Sequence, residues 1–269
     1  MILKPPRGAQ LRKGHPLSRD LVGYWLMNEG AGSVVRDLSG NGRHGTVAGS
    51  SWVPGPNGQS LFTPDAAGAV SLGDFSSEWP AISVVCRCKF PSVVATTTRL
   101  VAKERPDFGC WTLSVNTFEQ PGFTVRNTAA TSAAAVSATG VTDGGWHTIV
   151  GTYDGALVRI YIDAVEADPT PAALTGLLRS RVDYVAIHGS AVGSTITPSA
   201  SDVTYDHVMI YNRALSPSEI ASLYRDPYQM VRRDRVELWS AAASGGGTPA
   251  TFKPHWVPRR RQVIGGGIL

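Results

Sequence analysis

Two alternating runs dominate the pattern of apolar and polar positions. Trp146-His-Thr-Ile-Val-Gly-Thr-Tyr153 and Ala156-Leu-Val-Arg-Ile-Tyr-Ile162 are rich in β-branched and aromatic residues and flank Asp154-Gly155. That dipeptide tolerates the positive φ of a type I′ turn, so the two runs predict a β-hairpin. Shorter runs at 82–90, 111–115, 123–126, 182–188 and 204–211 predict further strands between clusters of Gly, Pro, Asn and Asp. Helical spacing stands out in one place. In Leu215-Ser-Pro-Ser-Glu-Ile220, Ser216 is placed to cap, Pro217 suits the first helical position, Glu219 completes a capping box, and Leu215 and Ile220 have staple spacing. Ile220, Leu223 and Tyr224 continue as an apolar stripe expected to seal one end of the sheets, and Pro227 stops the helix. Many short strands with almost no helix predict an all-β sandwich or barrel.

Charge divides the 269 residues into three parts. Of the formal +4, residues 1–19 carry +5 and residues 229–269 carry another +5, which leaves −6 for residues 20–228. Composition changes at the same places: both ends are rich in Pro and Gly and lack a sustained apolar period. The expected organisation is a basic extended N-terminal arm (1–19), a sandwich domain (20–228) and a basic Gly/Pro-rich C-terminal arm (229–269). Arms of this composition do not bury a core alone. Their scattered large residues, Leu3, Leu11, Phe252, Trp256, Val257 and Ile264, suit insertion into grooves on partners. No run of about 18 apolar residues offers a membrane span, and the first residues lack the apolar stretch of a secretory signal. Three cysteines, Cys86, Cys88 and Cys110, are too few and too odd in number for a disulfide framework. They read as buried small hydrophobes of a protein assembled in a reducing cytoplasm.

Four segments together resemble the laminin-G-like, concanavalin A-type jelly roll in the version found in bacterial and phage proteins. They are Leu21-Val-Gly-Tyr-Trp-Leu-Met-Asn-Glu-Gly30, Asp37-Leu-Ser-Gly-Asn-Gly-Arg-His-Gly45, Asp143-Gly-Gly-Trp-His147 with the hairpin after it, and Tyr205-Asp-His-Val-Met-Ile-Tyr-Asn-Arg-Ala-Leu-Ser216 with its helix. The resemblance spans about residues 20–226 in the family's order. It departs at Asp163-Ala164, where the family usually has Asp-Gly, and at Phe62-Thr-Pro-Asp65, where a more acidic turn is typical. It implies an antiparallel jelly-roll β-sandwich with Trp25 and Trp146 in the core. The family sometimes binds calcium near such turns, which makes Asp37, Asn41 and Asp206 the candidate ligands here. Calcium needs six to eight oxygens, so Asp37 with Ser39-Gly-Asn-Gly42 reads first as a structural turn, and no cofactor is expected.

Catalytic chemistry leaves little trace. Glycosidases on related jelly rolls present paired carboxylates two apart along a strand, and no Glu-x-Asp-x-Glu arrangement exists here. A Gly-x-Ser-x-Gly turn and a phosphate-binding loop are absent, and the six histidines are scattered. Sugar binding would use exposed aromatic residues, with Trp52, Trp79 and Trp111 as candidates against the alternative that they are packed. The acidic body and sparse aromatics argue against nucleic acid as the partner of the basic arms. Acidic surfaces on a protein shell, or on neighbouring copies of the body, fit better. The contact residues expected in the arms are Arg7, Arg12, Lys13, Arg232, Arg233, Phe252, Trp256, Arg259, Arg260 and Arg261.

The reading that joins these features is a non-enzymatic structural protein of a bacteriophage virion. It would be a capsid decoration protein, oligomeric and anchored by its arms on major capsid or other virion proteins. The alternative is a carbohydrate-binding adhesion module that recognises host-surface glycans from a phage tail or fibre.

Overall fold

Strand Ile82–Lys89 is buried at six of its eight positions, and its place in the fold explains why. In the computed structural model, which describes residues 3–75, 78–91, 94, 96–104 and 109–231, it lies inside a nine-stranded antiparallel sheet. Trp146–Tyr153 pairs with it along its whole length on one side, and Val203–Tyr211 on the other. Leu157–Ile162 extends the sheet past Trp146–Tyr153, while Gly58–Thr63, Ser51–Gly55 and Leu21–Trp25 extend it around Val203–Tyr211. A second sheet of eight strands, centred on Thr98–Lys103, Trp111–Val115 and Pro121–Arg126, faces the first. Alternate residues of both, among them Trp25, Val84, Cys86, Leu113, Phe123, Ile149, Ile160 and Val208, fill the core between them. All three cysteines are buried and free, and Cys86 and Cys88 share the inward face as expected. The fold is the antiparallel jelly-roll sandwich, with one α-helix among the described residues.

The nine-stranded sheet is apolar on its outer face as well. Val85, Val150, Tyr161, Met209 and Tyr211 point away from the sandwich core and form a second cluster with Leu17, Leu215, Ile220, Leu223, Tyr228 and Met230. The helix Pro217–Arg225 therefore lies across the outside of the sheet, where the sequence suggested that it closes one end of the sandwich. Its start is as expected: Ser216 accepts the N–H of Glu219, Glu219 reaches back to the N–H of Ser216, and Leu215 and Ile220 are buried. Tyr224 remains on the exposed side.

The same outer face disposes of the expected N-terminal arm. Leu11 bridges to Val231, the Arg12 N–H donates to the Met230 carbonyl at 2.8 Å, and the Lys4 N–H donates to Asn57 at 2.8 Å. Residues 3–19 are thus part of the same compact unit as the strands, because the sheet's outer apolar surface needs more cover than the helix alone supplies. The Lys4 ammonium is fixed inside this layer, 3.0 Å from Asp206 Oδ1, with the two side chains 3% and 0% exposed. It also donates to the carbonyls of Met27, Gln59 and Asp206. The other Asp206 oxygen accepts from His207 at 2.9 Å and from the Tyr228 hydroxyl at 3.2 Å.

Two local readings are revised. The Asp154-Gly155 connection is longer than a two-residue turn: the Asp154 carboxylate accepts the N–H groups of Ala156 and Leu157, and Gly155 has the positive φ of 94°. The two-residue turn with left-handed geometry sits instead at Asp163-Ala164, with φ of 50° and 71°. The run at 182–188 is mostly loop, with strand at Ala186–Ile187 and Gly189–Val192, since Asp183 caps the Gly193 N–H and Val182 is exposed.

Two outcomes test these contacts. Asp206→Asn leaves the Lys4 charge buried without its counter-ion and is expected to lower stability by about 3–5 kcal/mol, read as a shift in the denaturant midpoint. Ala164→Gly relieves a side chain held in the left-handed region and is expected to raise stability by about 0.5–1 kcal/mol in the same assay.

Candidate functional site

The turn after the first strand is built from hydrogen-bond donors. Asp37 Oδ1 accepts the N–H groups of Tyr24 at 3.0 Å and Ser39 at 2.8 Å, and Oδ2 accepts the Ser39 hydroxyl at 2.7 Å and the Arg43 N–H at 3.0 Å. Asn41 turns its amide NH2 to the carbonyls of Leu21 and Val22. Asp206 is committed to Lys4, His207 and Tyr228; burial would raise its carboxyl, but the His207 hydrogen bond and the Lys4 charge hold it far below the usual range. Both Asp37 oxygens thus serve the turn and Asp206 serves Lys4 and its neighbours. Among the described residues no group of three or more His, Cys, Asp or Glu is arranged to hold a metal.

The three tryptophans do not meet in one groove. Trp111 is 4% exposed and belongs to the sandwich core, so its ring is unavailable to a sugar. Trp52 lies on the Ser51–Gly55 strand, half-buried, with its ring N–H on the Gly32 carbonyl at 2.9 Å. It pairs with Leu61, close to the Lys89 end of the central strand, whereas Trp79 sits just before Ile82 at the opposite end. Both are partly buried against the core. Trp25 is fully buried and Trp146 half-buried.

The basic residues expected to reach partners are divided between two settings. Arg7, Arg12 and Lys13 are exposed on the segment that covers the sheet, and the Arg12 guanidinium donates to the Gln229 carbonyl. Lys13 joins Arg36 and His44 around a cleft of about 330 Å³ between this segment and the Asp37 turn. Arg232, Arg233, Phe252, Trp256, Arg259, Arg260 and Arg261 lie outside the described residues.

Two polar arrangements were not legible as sites from spacing. At the Lys89 end of the sheet, His147 is bracketed by Asp163 on Nδ1 at 2.8 Å and Asp143 on Nε2 at 3.0 Å. Burial pulls the imidazole down, but the two hydrogen bonds and both carboxylate charges outweigh it and raise its pKa. The second is a cleft of about 580 Å³ between the start of the helix and the outer face of the hairpin strands. Asp154, Glu166 and Glu219 enter it together with Arg19, Arg159 and Arg213. Arg159 binds Asp154 at 2.8 Å and Glu166 at 3.5 Å, and Arg213 holds Glu219 through two contacts of 2.8 Å. Asp154 and Glu219 are raised by burial, yet their arginine and N–H partners outweigh this and leave both below the usual carboxylate range. An acid catalyst of a glycosidase needs the opposite shift.

Residues 64–221, more than half of the chain, match the Laminin_G_3 family, described as the Concanavalin A-like lectin/glucanases superfamily. The chain belongs to this superfamily. Solved structures agree on the fold. The binding domain of Paraclostridial Mosquitocidal Protein 1 superposes with a TM-score of 0.63 at 14% identity, over 79% of this chain and 53% of that one. The Botulinum Neurotoxin serotype G binding domain gives 0.60 at 14% identity over 78% and 51%. Trypanosoma rangeli sialidase gives 0.56 at 18% identity over 78% and 33%. The chain thus spans about half the length of the two binding domains and a third of the sialidase. A comparison with curated proteins finds no match. At these identities the likeness is one of fold: a lectin-like superfamily sandwich of the kind found in toxin binding domains. No helix among the described residues is long and apolar enough to cross a membrane.

The His147 bracket sets a pH dependence. Because its folded pKa lies above the unfolded value, the bracket's contribution is complete below about pH 6.5 and is lost as pH rises through the folded pKa. The stability difference between the parent protein and His147→Gln, measured by denaturant unfolding across pH, is expected to shrink over that rise.

Proposed function

We propose that this protein is a non-enzymatic recognition module displayed on a bacteriophage virion and held there by residues 232–269. The observation that supports this reading is the closure of the module on itself. Residues 3–19 are used to cover the sheet, and the bridge from Leu11 to Val231 brings the two limits of the sandwich side by side. The five basic residues of 1–19 consequently offset most of the −6 of residues 20–228, while the +5 of residues 232–269 remains outside this balance. The best partner for that segment is an acidic surface other than the sandwich, such as a virion shell, rather than a neighbouring copy of the body. Likeness to domains described as binding domains supports a recognition role for the sandwich, and the arginine-neutralised carboxylates of its cleft favour binding over hydrolysis.

The test is co-sedimentation of the full chain with particles of the phage that encodes it. The parent protein is expected to pellet with particles and to be released by salt of about 0.5 M. Replacing Arg232, Arg233, Arg259, Arg260 and Arg261 by Ala is expected to abolish pelleting with no shift in thermal unfolding. Pelleting unchanged by these substitutions, or no pelleting of the parent protein, would refute the assignment.

A further inference from the structure

The Asp37 turn and the N-terminal segment enclose the cleft of about 330 Å³, at the small end of ligand-site volumes. Its charged and titratable lining residues are Lys13, Arg36, Asp37 and His44. Asp37 is already committed, since it is buried and both of its oxygens accept hydrogen bonds within the turn. The other three are exposed, and among the described residues the side chains of Lys13 and Arg36 have no ion-pair or hydrogen-bond partner. We propose that this cleft binds a phosphate monoester whose organic part is compact and apolar. The site is separate from attachment to a particle and does not rest on it.

His44 supplies the third donor. Its Nδ1 accepts the Asp37 N–H at 3.0 Å, so the proton of the neutral ring sits on Nε2, on the far side from the turn. The turn therefore uses His44 as an acceptor and leaves a donor free. A guanidinium fork, an ammonium and an imidazole N–H match an anion with several oxygens. A phosphate monoester has three strong acceptor oxygens and a charge of about −1.5 to −2 at pH 7, one oxygen for each donor. A carboxylate or a phosphodiester offers two free oxygens and a single charge, which leaves one of the three donors unused. The remaining wall decides what the phosphate is attached to. Ala9, Leu11 and Leu38 line the cleft and are partly buried against the outer apolar cluster of the sheet, a surface that suits an apolar ester group. Gly8 and Gly40 complete the lining with φ of 84° and 89°, and neither has an atom within 4 Å of where a Cβ would stand, so the backbone there leaves room for a ligand.

The experiment is a chemical-shift titration of the full chain by NMR with phenyl phosphate, inorganic phosphate, dimethyl phosphate and phenol. Phenyl phosphate is expected to bind with a Kd of about 1 mM or tighter and to move the amide signals of Gly8 and Gly40. Inorganic phosphate, which leaves the apolar wall uncovered, is expected to bind about threefold or more weakly, and dimethyl phosphate and phenol not to saturate at about 10 mM. Lys13→Ala and Arg36→Ala are each expected to weaken phenyl phosphate by about fivefold or more, with unchanged unfolding midpoints because neither side chain holds another part of the fold. Arg19→Ala removes the same charge from the other cleft and is expected to change binding by less than about twofold. Failure of phenyl phosphate to saturate at about 10 mM, or losses as large in Arg19→Ala as in Arg36→Ala, would overturn the site. Dimethyl phosphate, phenol or inorganic phosphate binding as tightly as phenyl phosphate would overturn the ligand class.

Discussion

A sheet that is apolar on both faces must be covered twice. That constraint organises this molecule. The inner face of the nine-stranded sheet is met by the second sheet, as in any sandwich. The outer face is met by a patchwork of one nine-residue helix, residues 3–19 and the stretch from Asp226 to Val231. Because the patches come from distant parts of the chain, the cover has a boundary, and the charged cleft lies along it.

The Lys4–Asp206 pair shows how the cover is specified. A buried ion pair of this kind adds little net stability, since desolvation of both groups offsets their attraction. Its value is in position. Three carbonyls accept from the single ammonium and the Asp206 carboxylate supplies its counter-charge, so a lysine is fixed at that point of the sheet. The N-terminal segment is thereby held in one register against the sheet.

Local chemistry was legible in the sequence where a few neighbouring residues determine it. Ser216, Pro217 and Glu219 announce the helix start, Trp111–Val115 alternates cleanly, and Asp37 with Ser39 announces a knotted turn. What depends on distant partners was not legible. Basic, Pro-rich residues 3–19 read as an arm because their composition carries no trace of the apolar sheet face that accepts them. Asp206 read as a possible metal ligand because its lysine is 202 residues away. The cleft combines Arg159 and Asp154 of the hairpin with Arg213 and Glu219 of the helix start, and no motif links the two stretches. One signal was present: Arg159 and Tyr161 alternate with the core residues Val158 and Ile160, marking an outer face with its own business.

The separation between Lys4 and Asp206 also bears on how the chain is made. At about 5–20 residues per second, a ribosome delivers Asp206 roughly 10–40 s after Lys4. During that interval the first segment has no sheet to lie on, since Val203–Tyr211, its receiving strand, is among the last strands synthesised. The N-terminal segment therefore cannot take its place before Val203–Tyr211 has emerged, and until then it is open to chaperones or proteases.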